Sequence, residues 1–255
     1  MSIFPSLAGT LLICASLALT ACKPRNHPNF EAILSLPPDS PDLAASTLAT
    51  ELKNRADLLD IPLEINLSES SDGRLTVRLH ASDKEDALNR LDKLCENGRI
   101  SIRAIHDRSA YLTDIILKDP SQFPPDYEIL THEVISGDYR KSEKLAVARA
   151  EILNNRHVEG ARAERGKENM VHISLNSNGL GRIKSASEKM QKGRSRLAII
   201  YDERIISAPV VTQELWTPVT LEGFSSFEEA QGLATSLNKP LSSQLLIESL
   251  MPLAP

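Results

Sequence analysis

The sequence predicts an α+β protein of antiparallel sheets with helices on one face, in two subdomains, the C-terminal one a ferredoxin-like β-α-β-β-α-β unit. Three observations predict it. Apolar residues recur at helical spacing in some segments, they alternate at period two in others, and polar or Gly-containing turns separate the two kinds. The elements follow in chain order.

From Leu7 to Ala21 the chain is nearly all apolar or small. That suits a signal-peptide core and falls short of the ~20 residues of a spanning helix. Leu19-Thr20-Ala21-Cys22 closes this run in the form of a bacterial lipobox. On that reading residues 1–21 are a lipoprotein signal, cleaved between Ala21 and Cys22. Cys22 then carries diacylglycerol on its thiol and an acyl chain, such as palmitate, on its new amine. Each buried CH2 of these chains contributes about 0.8 kcal/mol to membrane anchoring. An ordinary secretory signal or a short buried helix, either with a chance cysteine, is the alternative, and Met1–Ser6 holds no Lys or Arg. Residues 22–42 read as a flexible tether, broken by Pro24, Pro28, Pro37, Pro38 and Pro41, with Phe30 to Leu36 able to make one apolar turn against the body.

Residues 43–165 form the first subdomain. Leu48, Leu52, Ala56 and Leu59 mark a helix, with Ser40 or Asp42 to cap it and Pro62 to stop it. Leu63–Leu67 and Leu75–Leu79 alternate as a hairpin around a turn within Ser70–Gly73, with one wet face. A second helix carries Ala87, Leu88, Leu91, Leu94 and Cys95 after the capping candidate Ser82, and Asn97-Gly98 ends it. Ile100, Ile102 and Ile105 begin the next strand. Between Ser109 and Asn155 the pattern is weaker. Pro120, Pro124 and Pro125 mark a loop, and Tyr127–Ile135 reads as a strand before the turn Ser136-Gly137-Asp138. Lys144–Leu153 reads as a strand whose alanines also suit a helix.

Residues 166–250 form the second subdomain. Val171, Ile173 and Leu175 alternate as a strand, Asn176–Gly179 turns the chain, and a helix through Ile183, Ala186 and Met190 ends at Gly193. Leu197–Tyr201 and Ile205–Val211 flank the tight turn Asp202-Glu203-Arg204. Ser226 caps a helix through Phe227, Ala230, Leu233, Ala234 and Leu237, and Leu245–Leu250 is the closing strand. Pro209, Gly223 and Phe224 are read as structural turn and core residues: Pro209 ends strand pairing, Gly223 permits a sharp turn, and Phe224 seals the core.

Composition bounds the function. The chain has 29 basic and 34 acidic side chains, a formal charge of -5, which provides no net basic field for nucleic acid. If the signal is removed and Cys22 is lipidated, Cys95 alone remains as a thiol, so stability rests on apolar packing and not on disulfides. No enzyme chemistry is legible. The histidines are scattered, His132-Glu133 is half of a zinc-protease motif without its second His, and Asn178-Gly179-Leu180-Gly181 lacks the rest of a dinucleotide fingerprint. Neither a metal nor a cofactor is expected, and the chain is read as not an enzyme.

Several segments together resemble a family. Ile173-Ser174-Leu175, Gly181, Arg196–Asp202, Ile206-Ser207-Ala208-Pro209, Leu221-Glu222-Gly223-Phe224 and Glu228-Glu229-Ala230 are similar, in order and spacing, to the first periplasmic domain of SecD, a protein-export subunit. Leu52–Ile61, Arg74–Leu79 and Ile100–Arg103 resemble the base part of that domain, where the family shows an arginine-bearing helix and two strands. Val158–Ala161 and Ala163 resemble its base-to-head segment.

The resemblance implies a base subdomain at 43–165 and a head subdomain at 166–250. It also implies an extracytoplasmic location and the gripping or guiding of emerging polypeptides. Family hairpins carry Gly where this chain has Glu203, which puts the local turn shape in question. The family's membrane helices carry a proton-driven motor, and no charged residue here lies in a membrane span, so proton-driven transport is not expected of this chain alone. The expectation is a non-catalytic envelope protein, held to the membrane through Cys22, with exported polypeptides or Sec translocase components as partners. The alternative is a structural or assembly lipoprotein that keeps the fold without polypeptide handling.

Overall fold

The computed structural model describes residues 27–37, 45–67, 74–136, 139–166, 169–215 and 219–253. The signal segment, Ala21 and Cys22, the capping candidates Ser40 and Asp42, and the turn at 70–73 lie outside the described residues. The elements run β1 (Phe30–Ser35), α1 (Ala45–Leu58), β2 (Leu63–Leu67), β3 (Arg74–Leu79), α2 (Lys84–Cys95), β4 (Ile100–Ile105), α3 (Ser109–Lys118), β5 (Tyr127–Ser136) and β6 (Tyr139–Asn154). After a short 3-10 turn come β7 (Val158–Glu164), β8 (Asn169–Leu175), α4 (Ser177–Glu188), β9 (Arg196–Tyr201), β10 (Arg204–Ser207), β11 (Val219–Phe224), α5 (Phe227–Asn238) and β12 (Leu246–Pro252).

Local chemistry explains most boundaries. Asp83, one residue beyond the expected Ser82, caps α2 by accepting from Asp86 N at 2.9 Å, and the Asp86 carboxylate accepts in return from Ser82 N. Asn176 caps α4 through Gly179 N, so the stretch expected as a free turn is the first turn of the helix. Ser226 caps α5 as expected. The two-residue turn between β9 and β10 places Asp202 at φ 43° and Glu203 at φ 67°. This is the left-handed pair that a tight hairpin needs and that Gly meets at least cost.

The strands form three groups. One is a four-stranded sheet ordered β12-β1-β3-β2, with every neighbour antiparallel. The second is a closed barrel ordered β10-β5-β6-β4-β9, and the third a three-stranded sheet ordered β11-β8-β7. In the first sheet Leu34, Leu75, Val77 and Leu79 point to one face and are buried with Leu48, Leu52, Leu91 and Leu94 of α1 and α2. The other face is wet, carrying the ion pairs Arg78–Glu31 at 2.7 Å and Arg74–Glu248 at 3.0 Å. A second core joins one side of β4 and β9 to β8, β11, α4 and α5 through Ile102, Ile199, Ile173, Leu221, Ile183 and Leu233. A third, smaller core fills the barrel.

Three expectations are corrected. Phe30–Ser35, placed in the tether, are a strand in the first sheet, because Phe30, Ala32 and Leu34 alternate and bury their side chains among α1, α2 and β3. The closing strand β12 does not complete the second subdomain. It pairs with β1, so the split β-α-β-β-α-β order is that of β1-α1-β2-β3-α2-β12, with β4 through α5 inserted between its last two members. The strand β4, expected to share a sheet with β2 and β3, pairs instead with β6 and with β9 of the second subdomain. In the weak region, Lys144–Leu153 is part of the long strand β6, and α3 was not legible. Mixed helix and antiparallel sheet, with α1 and α2 on one face, agrees with the general reading.

Candidate functional site

The insertion makes the chain cross twice between the first sheet and the barrel region, at 96–99 on the way out and at 239–245 on the way back. The crossings lie side by side, joined by Leu241 N donating to Asn97 O at 3.0 Å. Gly98, at φ 73°, allows them to meet: a Cβ there would stand 2.1 Å from the Ser236 carbonyl oxygen of α5. Asn155 and Asp202 hold the outward crossing from the barrel side. Asn155 Nδ2 donates to Gly98 O at 2.6 Å, and the Asp202 carboxylate accepts from Arg99 N at 2.8 Å.

One cation from the sheet side binds both crossings. Arg55, near the end of α1, is 0% exposed. Its guanidinium donates to Leu94 O at 2.8 Å, to Glu96 O, and to Lys239 O at 2.5 Å. Its Nε has no partner among the described residues. Beside it the Glu96 carboxylate accepts from Tyr201 Oη at 2.7 Å and from Ser236 Oγ at 2.9 Å. The joint therefore draws α1, α2, β9 and α5 onto one buried polar cluster. At the rim, Glu51 of α1 accepts from Ser242 N and Oγ on the return crossing.

Burial sets the electrostatics. Desolvation raises the Glu96 carboxyl above its ordinary value of 4.5, against the hydrogen bonds from Tyr201 and Ser236; nearby Asp202 adds to the rise and Arg55 opposes it. The Tyr201 hydroxyl is pushed up by burial and then by Glu96, so it stays a donor. Burial pushes the Cys95 thiol up to about 12, which keeps it unreactive.

The sign of the Glu96 shift is testable. A group raised in the folded state contributes stability that is present in full below its ordinary value and is lost as pH rises through the raised value. Wild type is therefore expected to gain unfolding free energy, relative to Glu96→Gln, as pH falls through the raised value toward 4.5. Urea melts at a series of pH values read this difference. A gap between the two proteins that does not change with pH would show that Glu96 has no raised affinity for a proton.

The residues singled out from sequence lie elsewhere. Pro209 follows the end of β10, and its carbonyl accepts from Leu197 N at 3.1 Å. Gly223, at φ 88°, falls within the register shift between Leu221 and Phe224 where β11 pairs with β8. Phe224 packs, half-buried, on the second core. None of them joins the hydrogen bonds of the joint. Arg55 was missed although its spacing from Leu52, at i+3, puts it on the buried stripe of α1, the one signal that could have found it.

Other surfaces bear on binding. Among the described residues, the large apolar side chains exposed in the barrel region are Tyr111, Ile206 and Val210. The edge strand β7 is blocked at its middle, because the Asn238 side chain accepts from Ala161 N and donates to Ala161 O. A small, partly open apolar pocket between Ile102, Leu153, Ile173 and Leu175 holds about 10 Å3, room for no more than a single water. Among the described residues no group of three or more His, Cys, Asp or Glu is placed to hold a metal ion. Among them, too, no helix is long and apolar enough to cross a membrane.

Comparison with known proteins gives this architecture relatives. Residues 129–240 match the family model of the SecDF P1 head subdomain. Over 188 residues the chain is 24% identical to the protein translocase subunit SecD of Magnetococcus marinus, a match covering 73% of this chain and 34% of that protein. The chain thus spans about a third of the length of this curated relative. Two solved structures share the fold. SecDF in a super-membrane-facing form has a TM-score of 0.59 at 20% identity, covering 88% of this chain and 30% of that one. A structure of a membrane component SecDF that enhances protein export has a TM-score of 0.55 at 20% identity, covering 86% of this chain and 98% of that one. These similarities are to the SecDF P1 head subdomain model, over residues 129–240, and to SecD and SecDF chains.

Proposed function

We propose that this chain is a non-catalytic envelope module that binds or guides exported polypeptides, held to the membrane by lipid on Cys22 and facing the periplasm or extracytoplasmic side. The observation that carries the reading is the match of residues 129–240 to the SecDF P1 head subdomain. In this fold that segment is presented as an insertion, held to the first sheet by two crossings at one joint. Sec translocase components are the natural alternative partners, since SecD is a translocase subunit. A proton-driven motor is not part of the assignment. A second reading has an observation in its favour: Asn238 blocks the edge of β7 that an extended polypeptide would otherwise extend, as expected of a structural or assembly lipoprotein that has lost handling.

The test has two arms on the full chain. Fluorescence anisotropy with a labelled, reduced and alkylated polypeptide is expected to show saturable binding, and crosslinking in intact cells to recover exported chains or a translocase component. Failure of both rejects polypeptide handling. In the second arm Cys22→Ala is expected to release the protein from the membrane fraction, and unchanged membrane association rejects the lipid anchor.

A further inference from the structure

The barrel is closed at a narrow seam. Its strands are joined by antiparallel ladders except where β10 meets β5, which pair in parallel through the single couple Ile205 and His132. Behind the seam lie Ile105, Leu145, Val147, Ala198, Ile200 and Ile205, all buried.

Alternation along the strands fixes what stands at this end of the barrel. Leu130 and His132 on β5 share a face, as do Leu145 and Glu143 on β6 and Ala198 and Arg196 on β9. Since Leu130, Leu145 and Ala198 belong to the barrel core, His132, Glu143 and Arg196 make the next layer, a polar lid on an apolar interior. His132 and Glu143 are directly opposed in the β5–β6 register. Arg196 takes both Glu143 oxygens, at 2.9 and 3.2 Å, and donates through Nε to Ala208 O at 3.1 Å. His132 is only 8% exposed, and its Nδ1 has no partner among the described residues. The lid therefore has one carboxylate, already committed to one cation, and an imidazole with an unused nitrogen.

We propose that the β5–β10 seam is an acid-operated clasp, closed while His132 is neutral and opened when a proton on its ring adds a second cation to the lid. A protonated ring would carry an N–H with no acceptor beside the Arg196 guanidinium, at the place where the barrel is held by one residue pair. Letting β10 part from β5 hydrates the ring and uncovers the apolar interior. The charges facing the ring are Glu143 and, further along β6, Lys141, with Arg196 on β9; on its own strand Glu133 is exposed on the opposite face. β10 contributes Arg204 next to the seam residue, on the opposite face. Burial first, and Arg196 second, hold the imidazole below the ordinary 6.5, with Glu143 opposing. A group lowered in the folded state contributes stability that is present in full above its ordinary value and is lost as pH falls through the lowered one, so acid is the opening direction. The clasp does not depend on what the protein binds.

Hydrogen–deuterium exchange of the full chain at pH 7.5 and 5.0, corrected for intrinsic exchange rates, reads the seam. Peptides spanning 128–134 and 203–208 are expected to lose about tenfold more protection on acidification in wild type than in His132→Leu. Equal loss in the two proteins, or no loss in wild type, overturns the proposal. Because the variant removes a buried polar ring, a proton NMR titration of His132 in wild type gives an independent reading. Its midpoint is expected below 6.5, and a midpoint at or above that value overturns the clasp even if the variant does not fold.

Discussion

Arg55→Ala is expected to lower the free energy of unfolding by about 3–5 kcal/mol, the usual cost of removing one partner from a buried charged cluster. Three backbone carbonyls, of Leu94, Glu96 and Lys239, lose their donor at once, and no water has ready access to a site that is 0% exposed. Glu96 is left without the cation that offsets part of its desolvation. Arg55→Met, which restores most of the volume, separates packing from polarity and is expected to recover only the cavity part of the loss. Urea denaturation followed by circular dichroism measures all three proteins. A loss in Arg55→Ala below about 1 kcal/mol would mean that the carbonyls find other partners and that the joint does not hang on this residue.

Gly98→Ala is expected to cost about 3 kcal/mol or more, combining a left-handed backbone with a steric collision. At φ 73° an added methyl is strained wherever it points, and here it meets the Ser236 carbonyl oxygen at 2.1 Å and the Pro240 Cα at 3.3 Å. Both are backbone atoms, so no side chain can swing aside. Gly193→Ala is the control: φ is 76°, and nothing lies within 4 Å of the added atom. It is expected to cost about 1 kcal/mol, the backbone part alone. Thermal or urea melts of the pair give the steric part by difference, and equal costs at the two sites would refute close packing of the crossings.

What the sequence revealed divides along physical lines. Period-two and helical spacings located α1, α2, α4, α5, the β2–β3 hairpin and the β9–β10 hairpin, because in each the buried face is written locally. α3 was not legible, since only Ser109 and Leu112 among its described side chains are buried and the rest carry no clear stripe. The partner of a strand is not a local property. β1 looked like tether because prolines surround it, and β12 looked like the end of its neighbours in sequence; both are placed by pairing across the whole chain. The joint was hidden for the same reason. Arg55, Glu96, Tyr201 and Ser236 are unremarkable where they stand, and only the return of the chain after α5 brings them together.

That return also has a consequence for the order of events when the chain is made. β1 emerges long before β12, one of its two flanking strands, with α1 through α5 between them. Until β12 arrives, one flank of β1 is an unpaired edge with its backbone donors and acceptors exposed, open to the wrong neighbour. Closing the sheet needs contact between residues far apart in the sequence, and the loop-closure entropy of the segment between them slows folding. A protein of this connectivity is poorly suited to folding piecemeal as it is synthesised.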